Sequence, residues 1–280
     1  MNMICFPNAK INLGLRVLSK RLDGFHNLSS YFVPIALQDV LEVKVTSSTL
    51  SKRSISYSGI TFPNQENDLI LKAYDLLDKD FHLPSVNIHL HKNIPFGAGL
   101  GGGSSNATFM LMLLNELCDL KLNRDQLLKY TVLLGSDCSF FLFNQFSLVS
   151  GLGEVIKAVD FSINDYYVVI VKPDFNCSTK EVFSHYKLTK NRSAYLSFHD
   201  NEDHWKQEFM NDLESVAFSL HPELQQVKDY IYSLGAIHSG MTGSGSSLYG
   251  LFKSSPKIEN CPFWFWQGRV LQKHPFKLIS

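Results

Sequence analysis

A chain of 280 residues, 45% of them hydrophobic, is long enough to bury a sizeable core in one large domain or two smaller ones packed together, and two are expected. Lysine plus arginine, 26, equal aspartate plus glutamate, 26, which excludes the one-sign field that draws a protein to nucleic acid or to an anionic membrane and leaves a small molecule as the expected partner. Five scattered cysteines without a CxxC pair argue against a disulfide framework or a zinc site, and neither the opening MNMICFPNAK nor the short greasy run 140–143 resembles an export or membrane segment, so a cytoplasmic protein with reduced thiols is expected.

In chain order, Ile11, Leu13, Leu15 and Val17 alternate with Lys10, Asn12, Gly14 and Arg16, predicting a strand with an apolar face and with Lys10 and Asn12 on the other. A turn follows at Asp23 and Gly24, then a second alternating strand at Leu41, Val43 and Val45. Leu69, Ile70, Ala73, Leu76 and Leu77 recur at helical spacing behind a cap at Asn67 or Asp68, and Pro84 closes that unit. Val86, Ile88 and Leu90 predict a strand running into Pro95 and a glycine-rich loop; residues 106–118 read as a buried helix, and Asn123 caps the next. In the second half YYVVIVK, from Tyr166, suits a central strand, with helices over 179–187, 206–218 and 222–234, the last stopped by Gly235. Short strands flank a second glycine-rich loop, 240–245, and another covers 264–270. A boundary near residue 160 divides the chain into 1–160 and 161–280, and the unstrict mixing of strands and helices predicts an α+β architecture rather than a doubly wound sheet.

The strongest chemical feature is PFGAGLGGGSSNA, residues 95–107. Glycines permit close backbone approach, and a helix start offers free N–H groups and the positive end of its dipole to a phosphate. A flexible, serine-capped turn is the plainer alternative. Gly97, Gly99 and Gly102 spell GxGxxG, but the acidic residue that a dinucleotide site needs about 20 positions on, at a strand end, is missing, since Asp119 and Asp125 fall in a helical region. A Walker loop needs GK followed by Ser or Thr, and no lysine lies between 95 and 105. His89 and His91 share one strand face without a third ligand, so zinc is not expected, and Trp264 with Trp266 pack the last strand. Asp137 alone is equally readable as a helix cap near Ser136, and Lys10 as a solvated strand lysine.

PNAKINLGL (7–15), RLDGFH (21–26), GLGGGSSNA (99–107), GSD (135–137) and MTGSGSS (241–247), in this order, resemble the GHMP kinase superfamily, most closely its family of 4-diphosphocytidyl-2-C-methyl-D-erythritol kinases. The resemblance implies a two-domain GHMP kinase fold, with an amino-terminal ribosomal-protein-S5-domain-2-like domain (1–160) that binds ATP and a carboxy-terminal ferredoxin-like GHMP domain (161–280) that completes the substrate site. It implies ATP-dependent phosphorylation of the substrate's 2-hydroxyl, giving the 2-phosphate and ADP, in the methylerythritol phosphate route to isoprenoids. Pro95, Phe96, Gly97, Ala98, Gly99, Leu100, Gly101, Gly102, Gly103, Ser104 and Ser105 would wrap the ATP phosphates. Lys10 and Asp137 would stand at the reacting hydroxyl: a carboxylate orients a poor nucleophile and takes its proton, while an ammonium keeps that carboxylate ionised. Phe25 and Phe183 would sandwich the cytosine, His26 would read its edge, Thr179 would assist, and Asn12 would touch the nucleotide sugar or the methylerythritol. Mg2+ is expected with ATP, with Ser105 a candidate contact and no ligand set implied.

The chain departs from the family pattern at CSFF after Asp137, where valine and proline are common, at Asp68, where an asparagine often helps hold adenine, and at Phe25, where tyrosine is common. The competing readings are another GHMP kinase acting on homoserine, mevalonate or a sugar, a nucleotide-binding regulator without catalysis, and a nicotinamide dehydrogenase. Retention of Lys10 and Asp137 speaks against the regulator. Nothing in the sequence fixes the oligomeric state.

Overall fold

A computed structural model describes residues 1–47, 51–61, 68–188, 193–195, 198 and 200–279. The first half contains β1 (Asn2–Cys5), β2 (Asn8–Lys20), β3 (His26–Gln38), β4 (Val40–Val45), β5 (Arg53–Gly59), α1 (Leu69–Phe81), β6 (Val86–Lys92), α2 (Gly102–Leu117), α3 (Arg124–Leu134), α4 (Cys138–Phe143), β7 (Ser147–Gly151) and β8 (Val155–Ala158). These strands form two sheets, ordered β1-β4-β6-β5 and β2-β3-β7-β8. The second half contributes β9 (Tyr167–Lys172), α5 (Thr179–His185), α6 (Trp205–Glu208), α7 (Glu214–Leu220), α8 (Glu223–Ser233), β10 (His238–Met241), β11 (Leu248–Phe252) and β12 (Trp264–Arg269), with a third sheet ordered β10-β11-β9-β12. Mixed helices and strands in largely antiparallel sheets make the α+β class plain; β5 alongside β6 is a parallel pair.

Three apolar clusters hold these layers. Leu41, Val43, Ile88 and Leu90 of the first sheet pack against Ala73 and Leu77 of α1 and the almost wholly buried α2. Val169, Val171 and Leu248 pack against Val227 and Ile231 of α8. Between them, Ile11 and Leu13 of β2 share one cluster with Val168 and Ile170 of β9, so the two halves are joined by a continuous core. Burial of this kind contributes about 25 cal/mol per Å² of apolar surface, the dominant favourable term in a fold.

Most expected elements are where the patterns put them. Asp68 caps α1 by accepting from the Ile70 N–H at 2.6 Å; Asn67 lies outside the described residues. Asn123 and Gln126 make a reciprocal capping box on α3. Gly235, at φ 90°, stops the chain after α8. Two expectations need correction. The helix read as 106–118 begins at Gly102, because Gly101 takes a left-handed conformation that turns the loop straight into a helix. The single helix read over 206–218 is two, broken where Asn211 bridges to Leu15 and its amide donates to the Met241 and Gly243 carbonyls at 2.8 and 2.7 Å.

Candidate active site

The glycine-rich loop hangs between β6 and α2. With Gly101 at φ 70° as N-cap and Ser105 N–H returning to its carbonyl at 2.9 Å, the N–H groups of residues 102–104 are left without intrahelical partners. They face a cavity of about 370 Å³ lined by Pro95 through Ser104 and by Asp68, Leu69, Ile70, Leu90, Lys92 and Asn106. Ser105 is not on this wall; it is fully buried and its hydroxyl has no partner in the protein. Glycine is required at Gly99, φ 74°, where a Cβ would stand 2.1 Å from the Thr242 carbonyl oxygen.

Lys10 and Asn12 leave β2 on the same side, as period-2 alternation demands, yet neither is solvated: they are 3% and 2% exposed. The Lys10 ammonium donates to Asn12 Oδ1 at 2.5 Å and to the Gly99 carbonyl at 3.2 Å, lies 4.6 Å over the Phe32 ring, and is 3.5 Å from Asp137 Oδ2. Burial pulls its pKa below the usual lysine value, and Asp137 opposes that pull. Asp137 occupies the N-cap position of α4 but its side chain makes no capping bond, which leaves the carboxylate turned to Lys10. The divergent CSFF segment is anchored instead through the Cys138 carbonyl, which accepts from Thr108 Oγ1 of α2 at 2.9 Å. Lys10, Asn12, Phe32, Gly99, Gly101 and Asp137 all line a second cavity, of about 300 Å³.

A third cavity, about 1050 Å³, gathers Phe25 and His26 with Thr179 and Phe183 of α5, two pairs far apart in the chain. Phe183 and His26 stack at 5.2 Å with an interplanar angle of 26°, while Phe25 is 65% exposed at the rim. In this structure the Phe183 face is covered by His26 rather than opposed by Phe25. Burial, with a smaller contribution from Lys20, lowers the His26 pKa, favouring a neutral ring that both donates and accepts. Thr179 Oγ1 lies 2.7 Å from Ser244 Oγ, tying α5 to the second glycine-rich loop.

The cavities adjoin. Gly99 and Gly101 belong to the first and second, Leu28, Ser136, Leu152, Thr179 and Phe183 to the second and third. Lys10 and Asp137 therefore stand between the glycine-loop cavity and an aromatic chamber, a geometry suited to group transfer between two bound molecules.

Comparison with known proteins agrees with that geometry. Residues 68–145 match the GHMP kinases N terminal domain, and 198–261 match the GHMP kinases C terminal domain. A 4-diphosphocytidyl-2-C-methyl-D-erythritol kinase of Bacteroides thetaiotaomicron is 45% identical over 253 residues, 90% of this chain and 92% of that one. One from Parabacteroides distasonis is 40% identical, covering 96% of this chain and 100% of its own. The chain belongs to this family of GHMP kinases. A crystal structure of a 4-(cytidine 5'-diphospho)-2C-methyl-D-erythritol kinase superposes with a TM-score of 0.77 at 28% identity, covering 95% of this chain and 98% of that one. A homoserine kinase from Cytophaga hutchinsonii, at 15% identity and a TM-score of 0.67, shares the fold.

Some residues of this GHMP kinase site carry no mark in the sequence. Thr242 accepts the Asn12 backbone N–H at 3.1 Å and places its hydroxyl 2.9 Å from the Gly99 carbonyl, joining the late loop to both early motifs; MTGSGSS signals a loop but not which side chain does this. Ser30 Oγ accepts from the Asn12 amide at 3.0 Å, so the Asn12 side chain, although it lines the cavity, already has partners on both oxygen and nitrogen. Its geometry is that of a holder of Lys10.

Proposed function

We propose that the chain transfers the γ-phosphoryl of ATP to the 2-hydroxyl of 4-diphosphocytidyl-2-C-methyl-D-erythritol, giving the 2-phosphate and ADP in isoprenoid precursor synthesis. The observation that carries this is the Lys10–Asp137 pair at the meeting of the two cavities, in a chain 45% identical to a kinase of that name. ATP lies with its phosphates on residues 95–104, held by helix-start N–H groups. The acceptor's cytosine lies in the chamber of His26 and Phe183, with Phe25 and Thr179 at its edges, which leaves its methylerythritol end at Asp137. Asp137 orients the hydroxyl and accepts its proton as the oxygen attacks phosphorus. Lys10 keeps the carboxylate ionised and offsets charge on the transferring group. Residues 1–160 serve ATP binding and catalysis, and 161–280 complete the acceptor site.

Among the described residues no three His, Cys, Asp or Glu side chains converge on one point, so a protein-built metal cage does not fit this site. Magnesium is accordingly proposed to arrive on the ATP phosphates and water, where it supplies charge neutralisation. No helix among the described residues is long and apolar enough to cross a membrane, and the five cysteines are free, which supports a cytoplasmic enzyme acting on a small molecule.

The test is ADP release with the cytidine-diphosphate substrate beside homoserine and mevalonate. Turnover should be confined to the first and inhibited by cytidine nucleotides. Equal turnover of homoserine or mevalonate would sink the substrate assignment.

A further inference from the structure

Lys10 follows a break in its strand. Asn8 of β2 stands opposite Gln38 of β3 and Lys10 opposite Pro34, so the β2–β3 ladder slips between them, and Pro34 has no N–H to give it. Other groups hold the chain at this point. The Lys10 N–H donates to the Leu100 carbonyl of the glycine-rich loop at 3.0 Å, and the Ala9 carbonyl accepts from the Asn8 amide at 2.9 Å.

That amide, in a side chain 0% exposed, also meets the amide of Asn144, a residue 4% exposed and 136 positions away. Asn144 Nδ2 donates to Asn8 Oδ1 at 2.6 Å, and Asn8 Nδ2 donates to Asn144 Oδ1 at 3.2 Å. Because the Ala9 carbonyl only accepts, it takes the NH2 of Asn8, which turns Asn8 Oδ1 to Asn144 and fixes the orientation of both amides. Asn144 is the left-handed C-cap of α4 at φ 48°; its N–H donates to the Phe140 carbonyl at 2.7 Å, and its carbonyl accepts from the His274 N–H at 2.8 Å. Asp137 is the N-cap of the same helix, whose six residues span about 9 Å. The amide pair thus joins β2, two residues before Lys10, to the far end of the helix that Asp137 opens.

We propose that Asn8 and Asn144 are the positioning residues of the Lys10–Asp137 pair: their reciprocal amide bonds fix the span across which the ammonium faces the carboxylate. Neither is among the described residues that line the three cavities, so they act through Lys10 and Asp137 and touch no ligand. A buried pair with both bonds made has two discrete outcomes, joined or broken, and a break lets β2 and α4 settle independently. Displacement of about 1 Å at reacting groups can cost 10²-fold in rate.

The inference rests on reading Lys10 and Asp137 as the reacting pair. Steady-state kinetics with ATP and the cytidine-diphosphate substrate are measured on the wild type, Asn144→Gly, Asn8→Ala and the double variant, with unfolding temperatures to establish that each is folded. Glycine suits the left-handed backbone at 144, so that variant removes the amide alone. Each single variant should lower kcat by about tenfold or more with both KM values within about twofold, and the double variant should lose no more than the worse single one. In an Asp137→Asn background, Asn144→Gly should cost less than about twofold further, because the carboxylate it positions is already gone. An unchanged kcat in folded Asn144→Gly overturns the proposal. So does a parallel rise of both KM values, which marks general loosening, or an undiminished loss in the Asp137→Asn background, which means that the pair acts elsewhere. Should Asn144→Gly fail to fold, the same comparisons are made with Asn8→Ala. Near-normal turnover in Asp137→Asn itself overturns the reading of the reacting pair, whatever the amide variants do.

Discussion

Lys10 lies under two opposing influences. Burial drives its proton off, and Asp137 at 3.5 Å holds it on. A pKa below the ordinary lysine value means that the ammonium, and with it activity, is lost on the alkaline side earlier than for a solvated lysine. Asp137→Asn removes the supporting charge, so the alkaline limb of kcat/KM should move to still lower pH while turnover falls by at least about 10²-fold. ATP affinity should hold. A pH–rate profile of the folded variant checks both; near-normal turnover would take Asp137 out of the mechanism. In the aromatic chamber, Phe183 is the ring already in a stack, whereas Phe25 stands at the rim. Phe183→Ala should raise the KM for the cytidine substrate by about tenfold or more, since base–aromatic stacking is worth roughly 1–3 kcal/mol. His26→Ala should erode the preference for that substrate over its uridine analogue, read as a ratio of kcat/KM values. An unchanged ratio places base selection elsewhere. At this scale the sequence was informative where chemistry has a motif: Lys10 and Asn12 share a face by period, and the family resemblance paired Asp137 of GSD with Lys10, which stands 3.5 Å away. Asp39, between β3 and β4, which accepts from Lys92, Asn93, Ile94 and Asn106 on either side of the glycine-rich loop, was silent, because a lone aspartate between two strands resembles any turn residue.

At the scale of elements, the loop and α2 act as one piece. Gly101 is both the left-handed cap and a point of close approach: a Cβ there would lie 2.9 Å from the Phe141 ring and 3.1 Å from Lys10 Cε. Gly101→Val should therefore raise the KM for ATP and lower kcat together, because the strained backbone disturbs the cradle while the new side chain displaces Lys10. Steady-state kinetics varying each substrate in turn will separate the two; a rise confined to the acceptor KM would break the link between cradle and loop. The glycine run was legible in the sequence, but the first four residues of α2 were not, since glycines and serines weaken a helical pattern. The 13-residue β3 escaped notice for a related reason. Pro34 sits within it, and proline speaks against an inner strand; the structure accommodates it at a register shift between Asn8 and Lys10 of β2.

Across the whole molecule the two glycine-rich loops are knitted together. Thr242, from the second half, reaches Asn12 and Gly99 of the first, and Asn211 pins the same loop from below. Thr242→Val keeps the shape and removes the hydroxyl, leaving the buried Asn12 N–H unmatched, at a cost of about 1–3 kcal/mol, and the Gly99 carbonyl with Lys10 as its remaining donor. The unfolding temperature should fall and both substrates' KM values should rise, while Thr242→Ser retains function. Loss of stability without kinetic change would make the contact purely architectural. Partners 230 positions apart leave no periodic trace. The motifs identified the fold, but the junction between its halves had to be seen in three dimensions.

The continuity of the three cavities has a pharmacological corollary. Because the glycine-loop cavity, the cavity of Lys10 and Asp137 and the aromatic chamber adjoin through shared lining residues, a molecule carrying an adenosine head and a cytidine head on a phosphate-like bridge is expected to reach from the first to the third. Once the first head is seated, the second binds as an intramolecular event, and tethering of this kind commonly raises avidity by about 10²–10⁴ when the bridge matches the span. Enzymes that bind ATP alone lack the second chamber and would gain nothing from the tether, so selectivity would come from the passage rather than from either head.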